Sequence, residues 1–469
     1  MIKRGEATSL EVVREHLSQL FCRNPRLNAV VSVRAPEAER EAREADRRVR
    51  DEDPATLPPF LGVPCTIKES FQLTGMPQTS GSVARRHNHP TSDAPAVARL
   101  RAAGAIPIGV TNVSELLMWM ESDNRVYGRT NNPYDLSRIV GGSSGGEGAS
   151  VGAGFAPFGL GADIGGSIRM PAFFNGVFGH KPSSGLVPNT GQWPIAENDA
   201  LAYLSTGPLA RRAEDLWPLV NVLRGPDGEC AACREIELGD PGTVEMAKLR
   251  VLNVKDNGTT RVSKGLRGAQ RDAARALAAR GATVEVRTFE PLVRSLHMWG
   301  AGLDAAGGTP FGVLLGDGRR VRVLPELAKW LVRRSDHTLP ALGLAALELV
   351  PDLVPGGTKR YLDELHAFRE TLGEELGQDG VMLYPSYSRT APRHYAPVFR
   401  NTFDFVYTAV INVLGFPSTQ VPLGLDSRGL PLGVQVVAAH GNDHLTIAVA
   451  LELERAFGGW VPPPERARG

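Results

Sequence analysis

Two serine-bearing loops and one lysine are the residues in this chain best suited to do chemistry. The loops are Gly141-Gly142-Ser143-Ser144-Gly145-Gly146 and Asp163-Ile164-Gly165-Gly166-Ser167-Ile168-Arg169. A serine hydroxyl attacks a carbonyl only when a neighbour takes its proton. Histidine is the usual base, but none of the ten histidines lies between the loops, and His180 follows Ser167 by 13 residues. What the chain offers instead is a second serine and Lys68, which ends the apolar run Gly62-Val63-Pro64-Cys65-Thr66-Ile67. Only eight residues are lysine, so one placed in an apolar run stands out. Burial disfavours the ammonium form and lowers the pKa. A neutral lysine is a competent base, and Ser–Lys pairs are a variant of triad logic. The spacing therefore points to acyl transfer, with Ser167 as nucleophile, Ser143 as proton relay and Lys68 as base.

Such a reaction also needs donors for a tetrahedral oxyanion. Ile164, Gly165, Gly166 and Ser167 supply consecutive backbone N–H groups, which two glycines allow to curl toward one point. A helix over Ile168–Phe174 adds the field of its N-terminus. Asp163 and Arg169 flank the turn and are expected to pair as scaffolding. Ser144 either assists Ser143 or is a loop residue. Met118, Trp119 and Met120 either line a substrate pocket or belong to the core. A second reading stays open on the residues alone. Glycine-rich loops also pack helices against sheets, and Lys68 could be an exposed strand end.

The elements that must position these residues alternate between helix and strand. Thr8 and Glu11 form a capping-box pattern that starts a helix running to about Cys22. Residues 28–33 read as a strand and 36–51 as a solvated helix. Residues 62–69 and 105–110 read as buried strands, with a helix over 93–103 between them, capped by Ser92 or Asp93. Further on, helices are expected over 213–223, 265–279 and 443–456. Strands are expected over 249–254, 283–286, 380–385, 415–422 and 433–438. This order predicts one α/β domain over residues 1–469, with a less regular, variable insert over about 299–355.

Composition excludes several function classes. Charges nearly cancel, with 52 basic and 51 acidic residues, which gives no electrostatic footprint for nucleic acid. No apolar stretch reaches the length of a transmembrane anchor, and the polar opening is unlike a secretory signal. The four cysteines, Cys22, Cys65, Cys230 and Cys233, are too few for a disulfide framework. Cys230 and Cys233 have no second pair or nearby histidine, and His87 and His89 sit in a polar loop, so no metal or cofactor is expected. Lys181 reads as structural. A cytoplasmic protein fits best, with a homodimer left open.

The same residues, taken together, resemble the amidase signature family. The resemblance runs through residues 141–182 along their whole length, through the lysine segment 62–69, and through Gly415-Phe416-Pro417 and Gly429-Leu430-Pro431-Leu432-Gly433-Val434-Gln435. The opening segments 5–9 and 24–29 match as well. It implies a Ser–Ser–Lys triad of Ser167, Ser143 and Lys68, a cis peptide before Ser143, and an oxyanion hole of Ile164, Gly165, Gly166 and Ser167. It also implies one domain with a large mixed sheet sandwiched between helices, a signature core over about 62–190, and a substrate-pocket role for the 299–355 insert. Segments 118–122, 127–135 and 169–176 look most like fatty-acid amide hydrolases of the second type, which act on amides with apolar acyl chains. The 299–355 insert has no such match, so the resemblance carries the reaction further than the acyl chain.

Hydrolysis of a small-molecule amide, with an apolar acyl or aryl group, is the leading reading. A rival is the glutamine-hydrolysing component of a tRNA-dependent amidotransferase. That component calls for an acidic residue seven positions before Asn412. Phe405 stands there, and Asp404 is one place off. A nucleotide-binding module is a second rival, but the loops lack the Gly-Lys-Ser/Thr ending of a P-loop.

Overall fold

A computed structural model describes residues 1–349 and 357–464. The end of the expected insert, residues 350–355, and the C-terminal residues 465–469 of the expected domain lie outside that range. Thirteen strands are present among the described residues: β1 (Val30–Val33), β2 (Pro64–Lys68), β3 (Ile106–Thr111), β4 (Asp123–Asn124), β5 (Gly128–Arg129), β6 (Phe158–Asp163), β7 (Phe178–Lys181), β8 (Ser205–Ala210), β9 (Arg250–Val254), β10 (Thr283–Arg287), β11 (Gly380–Tyr384), β12 (Ser418–Leu425) and β13 (Pro431–Ala438). Eleven of them form one sheet in the order β1-β3-β2-β6-β8-β7-β12-β13-β11-β9-β10, while β4 and β5 pair apart. The sheet is mixed. β2 runs parallel to β3 and β6, β9 runs parallel to β10 and β11, and the centre is antiparallel.

Helices cover both faces: α1 (Ser9–Leu27), α2 (Ala35–Asp51), α3 (Pro95–Ala102), α4 (Gly145–Ala153), α5 (Arg169–Phe174), α6 (Leu216–Leu223), α7 (Lys264–Ala279), α8 (Ser295–Ala306), α9 (Phe311–Leu315), α10 (Val323–Leu331), α11 (Leu339–Leu347), α12 (Thr358–Leu376), α13 (Ala396–Phe399), α14 (Val406–Leu414) and α15 (Asp443–Phe457). The two-residue strand period explains the sandwich. In β11, Val381 and Leu383 enter the core shared with α3, α6, α7 and α15. Met382 and Tyr384 enter the opposite core, shared with α5, α8, α12 and α14. A strand buried on both faces must be apolar throughout, which is why β11 carries no polar alternation. The expected single α/β domain with a mixed sheet between helices is the fold observed.

Three local expectations need correction. The first helix continues past Cys22 to Leu27, because Asn28 ends it in a left-handed turn and Asn24 Oδ1 accepts from the Ala29 and Val30 amides. Neither Ser92 nor Asp93 caps α3. Its N-cap is Ala94, and Asp93 instead takes the Thr74 amide and pairs with Arg101. The insert expected to be less regular contains α8 to α11. Leu315, Val323, Ala341, Leu342 and Ala345 form a small core of their own with Leu116, a segment whose glycines and prolines obscure its helical period.

Candidate active site

The strand period also places the lysine. In β2, Cys65 and Ile67 point into the apolar core, which sends Thr66 and Lys68 to the other face. Lys68 is the last residue of the strand and is 1% exposed. Its Nζ donates to Ser143 Oγ at 2.8 Å and to the Ala162 carbonyl at 3.4 Å. Burial pushes the Lys68 amine down to about 7, against the opposing pull of Asp163 and Glu147. The base expected from sequence is therefore buried, poised to titrate around neutral pH, and touching the expected relay serine.

Ser143 lies at the start of the turn into α4 and follows a cis Gly142–Ser143 peptide. The tight glycine spacing has a steric cause here. A Cβ on Gly146 would collide with the backbone of Asn112, so α4 packs against the end of β3 at backbone distance. Ser144 does not bond to Ser143. Its Oγ donates to the Ala162 carbonyl, and its amide donates to the Ser167 carbonyl at 3.2 Å. Ser144 thus ties the first loop to β6 and to the second loop.

Ser167 lies just before Ile168, the N-cap of α5, and is 7% exposed. No hydrogen bond links its Oγ to Ser143 Oγ in this unliganded structure. Both side chains open onto the same cavity. The second loop is built around Asp163, whose carboxylate accepts from the amides of Gly166 (2.6 Å), Ile168 (3.1 Å) and Arg169 (3.3 Å). Asp163 and Arg169 pair at 3.0 Å with neither side chain exposed, as expected. Burial opposes the Asp163 charge, but the Arg169 guanidinium and its hydrogen bonds outweigh it and hold the carboxyl well below its usual range. The Gly166 amide is therefore already committed. Among the described residues, nothing claims the amides of Ile164, Gly165 and Ser167. Gly166 has φ 115°, and a Cβ there would strike the Thr408 side chain.

Sequence reasoning missed the groups that brace this turn from afar. Asn412 Nδ2 donates to the Asp163 carbonyl and carboxylate, both at 2.9 Å. Thr408 Oγ1 donates to the Gly165 carbonyl at 2.9 Å, and Trp299 Nε1 donates to the Ile164 carbonyl at 3.2 Å. Gln435 Oε1 accepts from Arg169 at 2.9 Å. These lie 130 or more residues from the turn, so no local pattern marks them. Glu147 was missed for another reason, although a lone carboxylate among Gly, Ala and Val is a visible signal. It is fully buried and accepts from Thr66 (2.6 Å) and Thr111 (2.8 Å). Burial raises its carboxyl to about 8, despite those hydrogen bonds.

Lys68, Ser143 and Ser167 sit at one end of a cavity of about 650 Å³. Its walls are mainly apolar and come from Met118, Leu296, Trp299, Leu303, Phe311 and Leu344, among others. Of the three expected pocket residues only Met118 lines it. Met120 packs in the core, where it meets the Tyr387 hydroxyl, and Trp119 packs against the same core. The cause is the chain's path: residues 118–122 leave the cavity rim and turn under the first serine loop. Asp404 does not line the cavity either. Its carboxylate accepts from Ser388 Oγ.

The sequence profile of the Amidase family matches residues 11–447. The chain belongs to the amidase signature family. Fatty-acid amide hydrolase 2-A of Danio rerio is 45% identical to it, over 98% of this chain and 88% of that protein. Indoleacetamide hydrolase of Bradyrhizobium diazoefficiens is 31% identical over 97% of this chain and 85% of that protein. The solved structure of 6-aminohexanoate cyclic dimer hydrolase superposes with a TM-score of 0.81 at 26% identity, covering 98% of this chain and 96% of that one. The protein is an amide-hydrolysing enzyme of this family, and the glutamyl-tRNA(Gln) amidotransferases, at about 30% identity, are its more distant kin.

Proposed function

We propose that this amidase cleaves amides of apolar acyl or aryl acids through an acyl-enzyme on Ser167. The observation that carries the reading is the 2.8 Å Lys68–Ser143 contact in the lining of an apolar cavity that Ser167 also lines. Neutral Lys68 takes the Ser143 proton as Ser143 Oγ takes the proton of Ser167. Ser167 Oγ bonds to the carbonyl carbon, and the oxyanion faces the free amides of Ile164, Gly165 and Ser167. The Ser143–Ser167 hydrogen bond forms as substrate binds, since catalytic hydrogen bonds commonly tighten only in the Michaelis complex. The tetrahedral species then collapses. The Lys68 proton passes through Ser143 to the leaving nitrogen, which departs as amine or ammonia. Water, deprotonated along the same route, cleaves the ester and restores Ser167. Gly166 serves differently: its amide holds Asp163, which keeps the other three donors in place.

The apolar wall supports an apolar acyl group, in line with the fatty-acid amide hydrolase relative, and Asp404's commitment to Ser388 weighs against a glutamine site. No helix of the described residues is long and apolar enough to cross a membrane. All four cysteines are free, which supports a cytoplasmic setting. Gel filtration decides between monomer and homodimer. Turnover across amides from acetamide through long-chain and aryl amides to glutamine tests the substrate class, with preference for glutamine as the overturning result. A fluorophosphonate probe tests the nucleophile. It should modify Ser167, and labelling of another residue would sink the mechanism.

A further inference from the structure

A second concavity, of about 540 Å³, lies at the carboxyl ends of β9 and β10, beside the first half of α7. It shares no lining residue with the active-site cavity. Four of its lining residues are cations, Lys255, Lys264, Arg267 and Arg271, and none is Asp or Glu. Among the described residues, only Arg271 of these four has a carboxylate within 4 Å, Asp272 at 3.8 Å. Four like charges around one groove repel one another unless an anion sits between them.

The floor points the same way. Asn253 is 7% exposed and Gln270 is 4% exposed. Gln270 Nε2 donates to Asn253 Oδ1 at 2.8 Å and to the carbonyls of Val254 and Leu383. That fixes the Asn253 amide with its Nδ2 donor turned away from Gln270. Asn253 Nδ2 has no hydrogen-bond partner among the described residues, and Asn253 lines the groove, so this donor is available to a ligand there. On the neighbouring strand, Val286 pairs in register with Asn253 and is 60% exposed, which gives the groove an apolar wall. The setting is a β9–α7–β10 unit with parallel strands, whose carboxyl ends are where such sheets bind ligands. The 16-residue α7 carries no side-chain cap and no acid in its first turn, so its positive end is uncompensated.

We propose that this groove binds a small molecule bearing a phosphate monoester, with the phosphate among the four cations and Asn253 Nδ2, and its organic body against Val286. Arginine forks match phosphate oxygens two at a time. A concave site with one buried amide suits a small ligand better than an extended polyanion, and the chain's near-zero net charge agrees.

Calorimetry on the full chain at low ionic strength tests this with phenyl phosphate. Saturable binding of one molecule per chain is expected. The Arg267→Ala/Arg271→Ala double variant should weaken it at least about tenfold, since it removes two of the charges that face the ligand. Asn253→Ala should weaken it as well. All of these variants should keep wild-type amidase activity, since none touches the cavity. Inorganic phosphate should bind more weakly than phenyl phosphate, and equal affinity would refute the apolar wall. Absence of saturable heat up to about 10 mM phenyl phosphate overturns the proposal, because affinity weaker than that is worth less than about 3 kcal/mol. Undiminished binding by the double variant overturns it too. So does binding of RNA or anionic vesicles, lost in the same variants, with no binding of phenyl phosphate.

Discussion

Acid should silence this enzyme through one amine. Lys68 must be neutral to accept the serine proton, and burial holds its pKa near about 7 rather than 10.5. An ordinary lysine would be neutral in only about one molecule in three thousand at neutral pH. Burial brings that to about one half, a gain of roughly a thousandfold in competent enzyme. Below the folded pKa each pH unit costs a factor of about ten, leaving about a tenth of the neutral base at pH 6 and a hundredth at pH 5. The expected kcat/KM for a medium-chain p-nitroanilide therefore rises with unit slope from pH 5 and bends over near pH 7. The rate of fluorophosphonate labelling should follow the same limb, because it needs the same nucleophile. The structure supplies a stringent control. Lys181 is also fully buried, and burial lowers it to about 7 as well. Its Nζ donates to the Pro182 carbonyl and has no contact with either serine of the site. Lys181→Met should keep the acid limb in place, whereas Lys68→Ala should remove about 10²–10⁴ of the rate and the limb with it. A flat profile down to pH 5, or a limb that disappears in Lys181→Met, would refute the assignment of Lys68 as base.

Three further outcomes follow from the same geometry. Asp163→Ala leaves the Arg169 guanidinium buried without its partner and should cost about 3–5 kcal/mol in denaturant unfolding; the double variant Asp163→Ala/Arg169→Met should recover part of that loss. Glu147 has a folded pKa of about 8, above its unfolded 4.5, so its contribution to stability is complete below about 4.5 and is lost as pH rises through 8. Glu147→Gln should therefore melt at a higher temperature than wild type at pH 9, and thermal unfolding with equal midpoints at that pH would contradict the burial argument. Leu344→Trp, which adds bulk to the cavity wall contributed by α11, should lower kcat/KM for long-chain amides by about tenfold or more while sparing acetamide-sized substrates.

Much of this protein was legible in its sequence, for identifiable reasons. The capping box at Thr8 and Glu11 is a local pairing, so three residues were enough to read it. The strands β2, β3, β9 and β11 are short apolar runs bounded by turns, and each lay within a residue or two of its expected place. Lys68, Ser143 and Ser167 stand out as candidates because chemistry restricts residue type: few lysines occur, and serine loops rich in glycine are rarer still. The insert was less legible. Its last three helices, α9 to α11, pack on a small core of their own, so their apolar faces are short, and Gly307, Gly308, Gly316 and Gly318 break the chain between helices.

The sequence alone therefore supplies the set of candidate reacting groups and the alternation of elements around them. Both depend on residue type and near-neighbour spacing. What only the tertiary structure decided is which of those groups are free to act. The sequence treated Ile164, Gly165, Gly166 and Ser167 alike, but folding brings the Asp163 carboxylate onto the Gly166 amide and leaves the other three open. It likewise treated Met118, Trp119 and Met120 alike, but the turn beneath the first loop leaves only Met118 in the cavity. The charge on Lys68 was decided the same way. A lysine at a strand end is ordinarily a cation. This one loses its charge in about half the molecules at neutral pH because the parallel pairing of β2 with β3 and β6, together with α4 packed at glycine distance, removes it from water. Desolvation is a property of everything that surrounds a group, and those surroundings come from segments that lie far apart in the chain.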